Sequence, residues 1–349
     1  MSVDQTNVLL FGGIATIASY VIAFFSRHFA RRFNAVDQPT GGRKIHERPI
    51  PLFGGLGIGL VMIVCVLTVV SFSISYGRNI SSEQLIGFVV GAGILVIGGL
   101  LDDLFDLNPR VQIIFPIFAS ISVVLSGTNV DFITNWTGGA PISLGWVSGP
   151  ITFAWLLLVT YAMKFLDGLD GLVTGQTIIG ASLLVLLSLA TPYYHPTVAV
   201  LAAIVAGAYL GFLPHNFHPA KQFLGESGST LAGFALGFLS IIGGAKLATG
   251  LMALGFPLVD ASVVILGRLA HGRSPFRGDN THLHFKLLRS GLSQRKTVLL
   301  LWALSLGFGI AAFGLQTKGK IILLLVLALV TAVASYTMSD ERRAMNVKP

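Results

Sequence analysis

The sequence contains a single cysteine, Cys65, set inside an apolar run. No intrachain disulfide can staple the chain, and the thiol is expected in the core. Charge is scarce as well: 11% of the 349 residues are Asp, Glu, Lys or Arg, against roughly 25% in soluble domains. With 53% hydrophobic residues and a mean hydropathy of +0.79, that scarcity excludes a soluble globular enzyme and a disordered or fibrous chain. Internal repeats and low-complexity segments are missing. The first apolar run follows Asp4 rather than a basic patch and lacks a small-residue cleavage site, so it is expected to be a retained helix.

What is abundant is apolar sequence. A helix crossing hydrocarbon needs about 20 predominantly apolar residues. Eleven windows approach this, near 7–25, 53–75, 85–101, 111–126, 150–166, 176–190, 197–213, 230–247, 250–266, 297–314 and 320–338. The two around Gly250 can also be read as one broken helix, which gives ten. The 41 glycines suit close packing between membrane helices. Residues 127–149, with Trp136 and Trp146, read as an interfacial loop with aromatic anchors.

Eleven spans put nineteen of the 23 Lys and Arg residues on one side. Only Arg78, Lys246, Lys318 and Lys320 fall on the other. By the positive-inside rule the N-terminus is outside and the C-terminus cytoplasmic. The expected fold is an all-α polytopic membrane protein, one integral-membrane domain over 1–349. Cytoplasmic loops 26–52, 102–110, 167–175, 214–229 and 267–296 would form its active-site face. The net charge of +8 then belongs to a membrane-facing pattern, and nucleic acid is not an expected partner.

The informative residues are acids at helix ends on that same side. Asp102 and Asp103 close the third window, Asp167 and Asp170 close the fifth in Asp-Gly-Leu-Asp-Gly, and Glu226 follows the seventh. Carboxylates beside hydrocarbon are costly, so they pair, bind a cation or line a polar cavity. Asp167 and Asp170, three apart, share a face if the helix continues. Gly168 and Gly171 would let a bulky ligand approach the backbone. Acids with nearby Arg and His suit a divalent cation with a pyrophosphate, and oxygen ligands favour Mg²⁺ (with Mn²⁺ as the alternative) over zinc. Plainer readings stand beside this one. Asp-Asp can be a solvated helix end, Asp-Gly a turn, Lys164 and Asp167 a local ion pair, and Ser227 or Ser229 an N-cap.

In order along the chain, Arg43-Lys44-Ile45-His46-Glu47-Arg48-Pro49-Ile50-Pro51 with Gly54-Gly55, Gly99 to Asp106, Asp167 to Leu172, Asn216 to Ser229, and Gly272 to Phe276 running into His282-Leu283-His284 resemble the polyprenyl-phosphate N-acetylhexosamine-1-phosphate transferases. That superfamily includes the phospho-MurNAc-pentapeptide translocase and enzymes that start O-antigen and wall teichoic acid. The resemblance implies that a polyprenyl-phosphate oxygen attacks the β-phosphorus of a UDP-N-acetylhexosamine, giving a lipid diphosphate sugar and UMP, with Mg²⁺ required. It implies that Asp102 and Asp103 position or deprotonate the lipid phosphate. Asp167 and Asp170 would line the nucleotide-sugar site near Asn216, with Phe223 stacked on uracil. Arg273, His282 and His284 would contact diphosphate or sugar, Lys44 and His46 would assist at the phosphates, and Glu226 and Asp167 would hold the metal.

Several positions depart from the family pattern. Lys164 and Tyr161 stand where relatives carry Asn, Glu226 where they carry Asp, and Phe285 where many carry His. A protonated Lys cannot ligate a metal. Its ammonium is therefore expected either to replace part of the metal's charge or to pair with Glu226. The Ser-Pro-Phe run favours UDP-GlcNAc as donor, with UDP-GalNAc or a diamino sugar left open, as is the oligomeric state, a homodimer included. Two rival readings remain at this level. One is an ion-coupled transporter, which would place acids near the bilayer midplane, and the other is a catalytically inactive scaffold for glycan assembly in the cell membrane.

Overall fold

In lipid every backbone N–H and C=O must be paired within the chain, so apolar stretches fold as helices. The computed structural model describes residues 3–39, 48–72, 80–135, 138–190, 194–243, 254–270, 272 and 281–338. Among these, thirteen α-helices form. They are α1 (Val3–Arg32), α2 (Gly54–Ser71), α3 (Ser82–Phe105), α4 (Pro109–Gln112), α5 (Ile114–Leu125), α6 (Ser148–Leu166) and α7 (Leu172–Leu189). There follow α8 (Pro196–Asn216), α9 (Gly225–Ile242), α10 (Gly255–Ala270), α11 (Leu283–Arg289), α12 (Gln294–Phe313) and α13 (Thr317–Thr337). Two antiparallel pairings of two residues each join Val36–Asp37 to Ile50–Pro51 and Phe132–Ile133 to Ile142–Ser143.

The described part of each of the eleven apolar windows is largely helical, with 111–126 divided between α4 and α5. Among the described residues eight helices are long and apolar enough to cross a membrane: α1, α2, α3, α6, α7, α8, α12 and α13. The other three fall short of eleven full spans for visible reasons. α5 has 12 residues and α10 has 16, while α9 begins with the polar run Glu226-Ser227-Gly228-Ser229. Large apolar side chains such as Leu9, Ile17, Leu125, Leu325 and Leu329 face outward. So much exposed apolar surface is unlike that of a water-soluble protein.

The interior is layered around α8, which packs against α1 and α7, while α6 packs against α9 and α3 against α5 and α9. Small residues set these distances. A Cβ on Gly211 would fall 2.1 Å from the Thr16 carbonyl of α1, and one on Gly233 2.5 Å from Thr160 Cα of α6. The same device draws three helices to one point. Cβ atoms on Gly55 of α2 and Gly99 of α3 would fall 2.0 Å from Gly228 N and 2.2 Å from Ser227 N, so both helices touch the opening turn of α9. Local capping fixes other ends. Ser81 and Gln84 form a capping box at the start of α3, and the Ser293 side chain accepts from Lys296 N at α12. Cys65 is buried, as its apolar surroundings predict. Trp136 lies outside the described residues, and Trp146 is 88% exposed.

Candidate active site

Residues of α1, α4, α6, α8 and α10 surround a cavity of about 1610 Å³. Its lining draws on all five loops expected on the cytoplasmic side: Arg27, Arg31 and Arg48, then Pro109 and Arg110, then Asp167 to Asp170, then Asn216, His218, Lys221 and Phe223, then Arg268, His282 and Phe285. Seven Lys and Arg residues (Lys164 is the other one) therefore meet in one hollow, beside Asp37, Asp167 and Asp170. Such a hollow attracts anions.

Asp167 and Asp170 reach the cavity by a route the sequence periodicity does not anticipate. The helix does not continue through them: α6 stops at Leu166, and α7 starts at Leu172 with Gly171 as its N-cap at φ 80°. Both acids instead sit in the connection. Gly171 is needed there for its left-handed backbone. Gly168 is needed for close approach, since a Cβ would fall 2.5 Å from His284 Nε2. Asp170 Oδ2 accepts from His218 Nδ1–H (2.8 Å) and Ala220 N–H (3.0 Å), which ties the link to the segment after α8. The Asp167 side chain is exposed on the cavity yet walled by protein. Burial, with the Glu226 charge nearby, raises its carboxyl to about 7, and the cavity supplies what solvent it has.

Asp102, Asp103 and Glu226 are not among the residues that line this cavity and stand behind its wall. Asp102 Oδ1 accepts from Leu107 N–H (3.0 Å) and Gln112 Nε2–H (2.7 Å), closing the turn between α3 and α4. Asp103 Oδ1 accepts from Glu226 N–H at 3.2 Å, and its Oδ2 is buried without a hydrogen-bond partner. A carboxylate from α3 thus supplies an acceptor for an orphan N–H in the first turn of α9. This replaces the expected Ser227 or Ser229 cap: Leu224 is the N-cap and makes no side-chain cap bond, and Ser227 Oγ is buried and unpartnered. Lys164 pairs with Glu226 rather than Asp167. Its Nζ donates to Glu226 Oε1 at 2.5 Å and to Gln112 Oε1 at 3.0 Å.

Of the remaining candidates, Phe223, His282 and Lys164 line the cavity. Asn216 lines it too, but its side chain is buried and engaged within the chain. Oδ1 accepts from Gly171 N–H and Thr174 Oγ1–H, while Nδ2 donates to the Gln222 carbonyl. His284 departs from a direct contact role. It is fully buried behind Gly168, with neither ring nitrogen hydrogen-bonded. Burial lowers it to about 4, so it stays neutral near pH 7. Lys44, His46 and Arg273 lie outside the described residues.

Two residues were not singled out from the sequence. Asp260, buried in α10, accepts from His282 Nδ1–H (2.7 Å) and Leu283 N–H (3.0 Å), orienting the imidazole and anchoring α11. An ionisable residue inside an apolar helix is itself the signal that could have found it. Gln112 bridges Asp102 and Lys164, and nothing in its local sequence marks it.

These donors bear on Mg²⁺. Among the described residues no group of three or more His, Cys, Asp and Glu side chains could hold a metal ion. At Glu226 the place beside the carboxylate is taken by the Lys164 ammonium. The residues as arranged do not fit a divalent ion there.

Residues 85–244 match the family described as Glycosyl transferase family 4. The chain is 33% identical to a decaprenyl-phosphate N-acetylglucosaminephosphotransferase of Mycolicibacterium smegmatis, over 95% of this chain and 88% of that protein. It is 31% identical to a phospho-N-acetylmuramoyl-pentapeptide-transferase of Desulforamulus reducens, over 88% and 95%. It is 27% identical to an undecaprenyl-phosphate alpha-N-acetylglucosaminyl 1-phosphate transferase of Escherichia coli, over 86% and 80%.

Proposed function

The chain belongs to glycosyl transferase family 4, the polyprenyl-phosphate N-acetylhexosamine-1-phosphate transferases, and on that premise we propose that it moves GlcNAc-1-phosphate from UDP-GlcNAc to a polyprenyl phosphate in the cytoplasmic membrane. The observation that carries the reading is the convergence of seven cationic side chains with Asp167 and Asp170 in one cavity among apolar helices. The two substrates bring three phosphates together, and a site for them must supply positive charge and alignment. Because those seven cations share one hollow, the same face is taken as cytoplasmic under the positive-inside rule. Eleven passes, with α5, α9 and α10 as short internal ones, keep the N-terminus outside.

In the reaction, an oxygen of the lipid phosphate forms a bond to the β-phosphorus. The bond from that phosphorus to the oxygen bridging the α-phosphate breaks, and UMP leaves with the electron pair. The lipid phosphate is already ionised near pH 7, so orientation and charge stabilisation outweigh proton removal. Arg and Lys side chains of the lining clamp the diphosphate. Phe223 offers a face for uracil, and Asp167 and Asp170 orient sugar and phosphate. His282, held by Asp260 through Nδ1–H, directs Nε2 as a contact for the phosphates. Asp102 and Asp103 keep the wall of the cavity in register.

The test is UMP release from UDP-GlcNAc in membranes supplied with undecaprenyl phosphate. Release that depends on the lipid phosphate supports transfer. Silence with every UDP-N-acetylhexosamine would overturn it in favour of an inactive scaffold.

A further inference from the structure

Glu226 opens α9, and its carboxylate is the first oxygen ligand that a divalent ion at this corner would need. It already holds a cation belonging to the chain. Lys164 Nζ lies 2.5 Å from Glu226 Oε1 and donates to Gln112 Oε1 at 3.0 Å, while Gln112 Nε2 donates on to Asp102 Oδ1 at 2.7 Å. The acceptors come from α9 and α4, so other helices fix the ammonium rather than its own flexible stem. The two side chains are 20% and 16% exposed, so bulk water screens the pair little. Two bonds use two of the three N–H donors, and Lys164 lines the cavity. The third N–H is left to the Tyr161 ring, whose centroid is 5.7 Å from Nζ, and to the cavity that both residues line.

We propose that the Lys164 ammonium occupies, as a resident cation, the place at Glu226 that a divalent ion would take, and offers its remaining N–H to a phosphate in the cavity. This deepens the transferase reading and rests on it. A chelator cannot remove such a charge, and a divalent ion reaches Glu226 only when the ammonium is gone.

The experiment is a Mn²⁺ titration of the purified full chain in detergent, with free Mn²⁺ followed by electron paramagnetic resonance. Wild type and Glu226→Gln should bind Mn²⁺ alike. Lys164→Asn should gain a site at least about tenfold tighter than anything in the wild type. The double variant Lys164→Asn/Glu226→Gln should lose that site. The proposal is overturned if Glu226→Gln abolishes Mn²⁺ binding by an otherwise wild-type chain, or if a folded Lys164→Asn protein gains no site. Should Lys164→Asn fail to fold, the first comparison decides alone. A wild-type protein that releases no UMP with any UDP-N-acetylhexosamine counts against the transferase reading and leaves the Mn²⁺ comparison intact.

Discussion

Asp102–Asp103 and Asp167–Asp170 look alike as sequence: two acids closing an apolar helix on the same side. In the fold they part company at Asp167. The first pair points oxygens at the chain, capping the turn to α4 and the first turn of α9. The second pair sits in a helix-to-helix connection and lines the cavity, but Asp170 spends Oδ2 on His218 and the Ala220 N–H while Asp167 is exposed to the cavity. A carboxylate whose lone pairs are taken by backbone N–H groups holds architecture, whereas one open on a cavity wall is available to a ligand. Motif alone does not separate the two cases; exposure of the side chain singles out Asp167.

The contrast can be broken most forcefully at Asp167. Asp167→Asn should lower UMP release by about 10²- to 10³-fold, the scale for losing one oriented charged group, while the unfolding temperature in detergent does not fall. Equal losses of activity and stability would erase the distinction between the pairs. Asp103→Ala should do the reverse in kind. It strips an acceptor from Glu226 N–H and costs about 1–3 kcal/mol of stability, read by thermal unfolding. Gly168→Ala should cost about 1–3 kcal/mol by overpacking, because His284 and Phe285 lie where the Cβ would go.

The pH dependence sharpens the same point. Asp167 has a folded value raised above its unfolded one, so its contribution to stability is fully present below the unfolded value and is lost as pH rises through the folded value, between about 4 and 7. Ligand-free protein should lose stability across that window, and Asp167→Asn should flatten the loss, as thermal unfolding at several pH values will reveal. The smallest effect is expected at His284. Its ring is buried with no hydrogen-bond partner, so His284→Leu should stabilise the protein by about 1 kcal/mol, again by thermal unfolding.

Much of the fold was legible because lipid imposes a one-dimensional rule: long apolar runs become helices, and the described part of each of the eleven windows largely did. The rule reads length poorly: the window 111–126 is divided between α4 and α5, and α10 has 16 residues. Of the cavity lining, Asp167, Asp170, Lys164, Phe223 and His282 were legible. The rest depended on contacts distant in sequence. Asp260 meets His282 across 22 residues and Lys164 meets Glu226 across 62. His284, beside His282 in the same motif, turns inward behind Gly168.

By itself the sequence determined that this chain is a helical membrane protein, since hydropathy acts locally and adds along the chain. Which acids face the cavity, which cap a neighbouring helix, and which cation Glu226 holds were decided only by the tertiary structure. Those outcomes depend on distances of a few ångströms between helices, set by glycines whose missing side chains let backbones meet.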